Sequence, residues 1–223
     1  MPVMKLDVPL VKQAEDSVDC GLAVVNMITS YHKKNITFAK IKSEIKTDKL
    51  GTYNPQLGSY LIKQGFDVEI VTFNPGLFTN QNKGKSKKRL LDHFENLLKT
   101  KKVPQAKKVI RYFIKFLKDG GKLTIRIPNE EDIRNEIQNK RPLIAALTSN
   151  FFFGDIPRYN FHFNVATGID NQFIYANDPL SDHRGGKHKF PISDYFFAIY
   201  ASGQGPVDNL DNPSLIKIRN KNN

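Results

Sequence analysis

A nucleophile, a base, an orienting acid and an oxyanion donor can be picked out of this sequence by residue type and spacing. Cys20 is the only cysteine in 223 residues. It stands in the run Gln13-Ala14-Glu15-Asp16-Ser17-Val18-Asp19-Cys20-Gly21-Leu22-Ala23, where an apolar, helix-periodic stretch begins. Only a thiolate attacks, and the unpaired amides and positive dipole end of a helix stabilise negative sulfur. His162 begins the strand-like run His162-Phe163-Asn164-Val165-Ala166-Thr167-Gly168, and Asp178 ends the next one in Asn177-Asp178-Pro179. A hairpin turning near residue 170 would bring both to one open end, so that the imidazole bridges Cys20 and Asp178. Gln13, upstream of the helix, offers a side-chain amide that can join the backbone N–H of Cys20 in an oxyanion hole.

The elements that must hold these groups follow from hydrophobic period. Leu22, Val25, Ile28 and Thr29 predict a helix from Asp19 to about Lys34, with Asp19 as its N-cap. Thr37 caps a second helix through Ile41 and Ile45, and Pro55 begins a third that Gly65 stops. Phe66–Phe73 alternates as a strand, and Asn74 to Lys88 reads as a polar loop. Two basic amphipathic helices follow, one with Leu91, Phe94 and Leu98 on a face, the other from Pro104 with Ala106, Val109, Ile110, Phe113 and Leu117. Lys122–Ile127 reads as a strand, and Asn129-Glu130-Glu131-Asp132 opens a helix whose acids suit its dipole. Beyond it sheet signals dominate, in Leu143–Leu147, Phe161–Ile169, Phe173–Tyr175 and Lys189–Ile192, before Ser193 caps an aromatic helix through Tyr200. The segment after Gly205 reads as a mobile polar end.

Charge is concentrated in one place. The formal net charge is +12, and residues 83–118 carry 13 Lys and Arg against Asp92 and Glu95, leaving the rest close to neutral. The reading is one domain over residues 1–205, with 74–121 a basic helical insertion and 206–223 a polar C-terminal tail. A lone cysteine allows no internal disulfide, the first residues lack a signal-peptide core, and no apolar run is long enough for a membrane span, so a cytoplasmic setting is expected. His183 and His188 flank a glycine-bearing loop without cysteines, and His32 and His93 lie in helical segments; no metal and no cofactor is expected.

The words around the chemistry carry a resemblance. Gln13, Asp16, Asp19-Cys20-Gly21-Leu22-Ala23, His162 with Phe163, Val165 and Gly168, and Asp178-Pro179 resemble the C39-like cysteine peptidases of the papain-like fold, whose best-described members process bacteriocin leader peptides. The resemblance covers roughly residues 5–73 and 122–200. It implies an α+β papain-like fold with the nucleophile helix at the front, an antiparallel sheet behind, and here an inserted basic helical hairpin. It also implies Cys20 as nucleophile, His162 as base, Asp178 as orienter and Gln13 as oxyanion donor. The hairpin makes the cysteine-to-histidine spacing far longer than in the leader peptidases, so substrate recognition is expected to differ.

The expected activity is hydrolysis of a peptide or isopeptide bond through an acyl-enzyme. Two alternatives remain open: acyl transfer by the same triad, and a catalytically silent module that binds a peptide or an acidic partner. Blander readings make Cys20 a small core residue, His162 a core histidine and Asp178 a turn former. The expected partner is a peptide or protein substrate, acidic if the hairpin acts as a cationic lid; the blander reading of the hairpin is a solvated amphipathic pair whose apolar stripes pack on the body. Nucleic-acid binding through residues 83–118 is the weaker reading, because Phe94, Tyr112, Phe113 and Phe116 fall at core-like helical spacing.

Overall fold

The computed structural model describes residues 3–156, 159–204 and 213–221. In chain order the elements are β1 (Met4–Lys5), α1 (Cys20–Tyr31), α2 (Phe38–Glu44), α3 (Asn54–Lys63), β2 (Phe66–Thr72), α4 (Lys87–Thr100), α5 (Pro104–Lys118), β3 (Lys122–Ile125), α6 (Glu130–Gln138), β4 (Leu143–Thr148), α7 (Asn150–Phe153), β5 (Phe161–Ile169), β6 (Phe173–Asp178), β7 (Gly186–Pro191), α8 (Ile192–Ala201) and β8 (Ser214–Asn220). The class is α+β, as expected. One sheet runs β3-β2-β8-β4-β5-β6-β7, with β1 added on β5. Apart from the parallel β2–β3 pair, neighbours are antiparallel.

Helices cover both faces of the sheet and divide the core in two. Leu22, Val25 and Ile28 of α1 join Leu57, Phe113, Ile144, Ile216 and others in one cluster, while Ile133, Leu143, Tyr195, Ile199 and Leu215 form the second. The period-2 alternation of β4 and β8 feeds both clusters from single strands.

The basic helices belong to the first cluster. Phe94 and Phe113 are fully buried and stack with centroids 5.1 Å apart, and Phe116 packs so closely on Gly58 that a Cβ there would lie 2.7 Å from the ring. Ser86 caps α4 by accepting from Arg89 N–H, and Pro104 starts α5 at a position that needs no amide.

Several expectations need correction. Asp19 occupies the N-cap position of α1, but its side chain makes no cap bond and instead pairs with Lys42 at 2.6 Å. Ser193 lies inside α8, whose N-cap is Pro191, and its hydroxyl bonds Asp194. β7 starts at Gly186, earlier than Lys189. The expected polar tail over 206–223 contains β8, inserted between β2 and β4 with Ser214 to Ile218 buried; residues 205–212 lie outside the described residues.

The physical reason for β8 is a buried charge layer against α6. Ile216 and Ile218 face the first cluster, whereas Lys217 Nζ bonds Asp132 at 2.7 Å and Arg219 bonds Glu136 at 2.6 Å and Glu69 at 3.2 Å. Burial works against the charged forms of Asp132 and Glu69, yet the surrounding donors hold both carboxyls below the usual carboxylate range.

Candidate active site

Cys20 is the first residue of α1, so its backbone N–H is among the amides that precede the helix's own hydrogen-bond ladder. Close packing sets its position. A Cβ on Gly21 would lie 2.0 Å from Thr52 Oγ1, so only glycine lets the turn after Gly51 press against the start of the helix. Asp16, at φ 51, turns the approaching chain, a left-handed conformation that aspartate tolerates.

His162 and Asp178 come from paired strands, and an irregularity decides that they meet. Near the turn Gly168 pairs with Tyr175 and Ile169 with Ile174, but beyond a one-residue shift Ala166 pairs with Ala176 and Val165 with Asn177. Thr167 is the extra residue. Continuing the shifted register puts Asp178 opposite Asn164, on the face that His162 shares by pleat alternation. Without the bulge Asp178 would stand opposite Val165, on the other face. Gly168 also permits β1 to lie alongside, since a Cβ there would approach Met4 O to 2.6 Å.

His162 Nε2 is 2.9 Å from Asp178 Oδ1, with His162 3% exposed and Asp178 fully buried. Asp178 Oδ1 also accepts from Leu180 N–H at 3.0 Å. Cys20 shares the cleft with the imidazole, and with Nε2 turned to Asp178 it is Nδ1 that remains for the sulfur. Burial pushes the imidazolium down, but the Asp178 charge and hydrogen bond, with Cys20 adding to them, override it and raise its pKa to about 10. Beneath the pair, Tyr195 donates to Asn164 Oδ1 at 2.7 Å, and its phenol is pushed up by burial and by Asp178.

Gln13 shares the cleft but is partly engaged. Its backbone N–H donates to Pro179 O at 2.7 Å and its Nε2 to Ser17 O at 2.7 Å, which leaves one amide hydrogen for a ligand.

Gln13, Cys20 and His162 line a cleft of about 530 Å³. Most of its other walls were not singled out by sequence: Val18 and Leu50 are 40% and 45% exposed, Lys49, Tyr159, Phe161, Leu180 and Arg184 stand with them, and the acids Glu15, Asp16 and Asp182 also line it. The turn signal at Lys49-Leu50-Gly51 was the one cue available. A larger groove of about 630 Å³ between α2, α3 and α5 contains neither cysteine nor histidine.

The other histidines lie apart from this chemistry. His93 Nε2 and His188 Nε2 contact the carbonyls of Leu77 and Arg184, and burial lowers the pKa of His32. Among the described residues no cluster of three or more His, Cys, Asp or Glu could hold a metal ion, and no helix is long and apolar enough to cross a membrane.

Comparison with known proteins adds a family match. The Peptidase_C39 like family matches residues 5–202. Three solved structures are similar over nearly the whole chain. A double glycine motif protease from an AMS/PCAT transporter, in complex with the leader peptide, is 14% identical, with 97% of this chain and 94% of that chain covered and a TM-score of 0.49. A C39-like peptidase from Bacillus anthracis is 16% identical, with 98% of each chain covered and a TM-score of 0.48. The peptidase domain of Streptococcus ComA, a bi-functional ABC transporter involved in quorum sensing, is 14% identical, with 98% and 99% covered and a TM-score of 0.49. The comparison with curated proteins found no match.

Proposed function

Because the chain belongs to the Peptidase_C39 like family, we propose that it is a cysteine peptidase in which Cys20, His162 and Asp178 cleave a peptide or isopeptide bond through an acyl-enzyme. The observation that carries the reading is the buried His162, bonded to Asp178 at 2.9 Å and lining the same cleft as Cys20. With its pKa raised to about 10, the imidazole holds the proton at neutral pH and faces the sulfur as a cation, the arrangement that favours a thiolate.

Attack of that sulfur on the scissile carbonyl forms the carbon–sulfur bond and moves the carbonyl electron pair onto oxygen. The backbone N–H of Cys20 and the free amide hydrogen of Gln13 stabilise the oxyanion. His162 then gives its proton to the leaving amine as the carbon–nitrogen bond breaks, leaving a thioester and a neutral imidazole. Water attacks the thioester, the imidazole takes its proton, the acid product departs and the ion pair is restored. Asp178 orients the ring and stabilises its charged form. A reducing, cytoplasmic setting keeps the thiol free for this cycle.

The test is alkylation of Cys20 by iodoacetamide from about pH 4 to 9 in the wild type and in His162→Ala. The reading expects fast labelling that persists well below the roughly 8.5 of an ordinary thiol and disappears in the variant. Labelling that tracks an ordinary thiol in both proteins sinks it.

A further inference from the structure

The cations between Lys83 and Lys118 are not used by the cleft. Of the 13, only Lys108 and Lys115 form ion pairs among the described residues, with Asp48 at 2.6 Å and Asp119 at 2.7 Å. Lys87, Lys88, Arg89, Lys99, Arg111 and Lys118 are exposed without a carboxylate at ion-pair distance. The first turn of α4 carries Lys87, Lys88 and Arg89 and no acid, which sets three cations against the positive end of that helix. Like charge at this density works against the fold, and a polyanion lying over it would relieve the repulsion.

What accompanies the charge narrows the kind of polyanion. Phe94, Phe113 and Phe116 are buried and Tyr112 stacks on Tyr53, so the hairpin turns no free ring outward for base stacking. None of the large apolar side chains exposed among the described residues belongs to the hairpin, so it has no wedge for a lipid surface.

The hairpin is, however, tied to the cleft. Lys108 holds Asp48, whose carboxylate also accepts from Leu50 N–H at 2.8 Å and Tyr53 O–H at 3.2 Å. This closes the turn Asp48–Gly51, which delivers Lys49 and Leu50 to the wall of the Cys20 cleft. Lys108 and Lys49 thus link the basic face to the nucleophile's cleft.

We propose that the outward face of α4 and α5 docks an acidic segment of the peptide or protein whose scissile bond enters the Cys20 cleft. The inference rests on the peptidase reading above and gives that cleft a substrate class.

Two affinity reagents test it: a peptide of alternating Glu and Gly with an iodoacetyl group on a flexible linker at one end, and the same reagent with Gln in place of Glu. At low salt the acidic reagent is expected to label Cys20 about tenfold faster or more. The advantage should vanish at high salt, in the triple variant K87E/K88E/R89E and in the double variant R111E/K118E, while plain iodoacetamide labels all three proteins at one rate. Equal rates for the two reagents in the wild type overturn the proposal, and so does an advantage that survives both variants. A short DNA duplex that binds more tightly than the acidic peptide, and loses its binding in the same variants, overturns it in favour of nucleic acid. Failure of the peptidase reading is separate: plain iodoacetamide then labels Cys20 as an ordinary thiol, whatever the ratio between the two peptides.

Discussion

The sheet carries two buried sets of charge, and they are satisfied to different degrees. On the α6 side, each of the six carboxylate oxygens of Glu69, Asp132 and Glu136 accepts from a donor, including Lys217, Arg219, Arg126, Arg141 and Thr124. At the cleft end of β5 and β6, Asp178 Oδ2 and Asn164 Nδ2 are buried without a partner among the described residues. There the imidazole between acid and sulfur holds a strongly raised pKa. A fully partnered network fixes strands in register. A partly partnered one leaves polar capacity free, which the chemistry proposed above would use.

Exchanging the damage between the two sets would break this contrast. The largest effect is expected from His162→Ala, which should lower turnover of a cleaved peptide by roughly 10² to 10⁴-fold with the circular dichroism spectrum retained. Full activity in that variant would erase the distinction. Next comes Asp132→Ala, which strands the buried Lys217 and should cost about 3–5 kcal/mol, read from urea unfolding, while leaving Cys20 alkylation unchanged in the folded protein. Replacing both partners, as in D132L/K217M, should recover part of that loss, because the buried Lys217 is no longer stranded while the half-exposed Arg126 still loses its carboxylate.

Proton linkage sharpens the contrast further. Because the folded pKa of His162 lies above its unfolded value, the stability it contributes is fully present below about pH 6.5 and is lost as pH rises through about 10. Urea midpoints across that window should fall in the wild type and flatten in His162→Gln; parallel curves would contradict the raised pKa. The smallest effect is expected at the exposed basic face. Lys88→Glu puts an acid in the first turn of α4 and should raise the urea midpoint slightly, whereas a clear loss would mean that the cations there support the fold.

The two sets also differed in how far the sequence revealed them. His162 and Asp178 were readable because a local hairpin brings them together, with the Asp170-Asn171 turn between them and Cys20 marked by its own helix start. The Thr167 bulge that turns Asp178 toward His162 left no sequence signal, since a register shift depends on how strands pair and not on composition. The charge network was invisible for a similar reason. Lys217 stands between Ile216 and Ile218 in an alternating run that the polar residues around it overshadowed, and the acids that Lys217 and Arg219 bond, Asp132, Glu136 and Glu69, lie 83 or more positions away in the chain. The Asp19 cap was misassigned because Lys42 competes for its carboxylate, a contact that only packing of α2 against α1 creates.

The place of β8 has a consequence for the order of assembly. β2 and β3 on one side, and β4 to β7 on the other, are joined through a strand whose residues are made after all of them. While the ribosome is still short of Asn220, the two halves of the sheet present open edges with no partner between them. Contacts this distant in sequence slow folding and leave strand edges vulnerable meanwhile. Nascent chains should therefore form the Cys20 cleft late and abruptly, with Cys20 and His162 brought together only as the sheet is sealed.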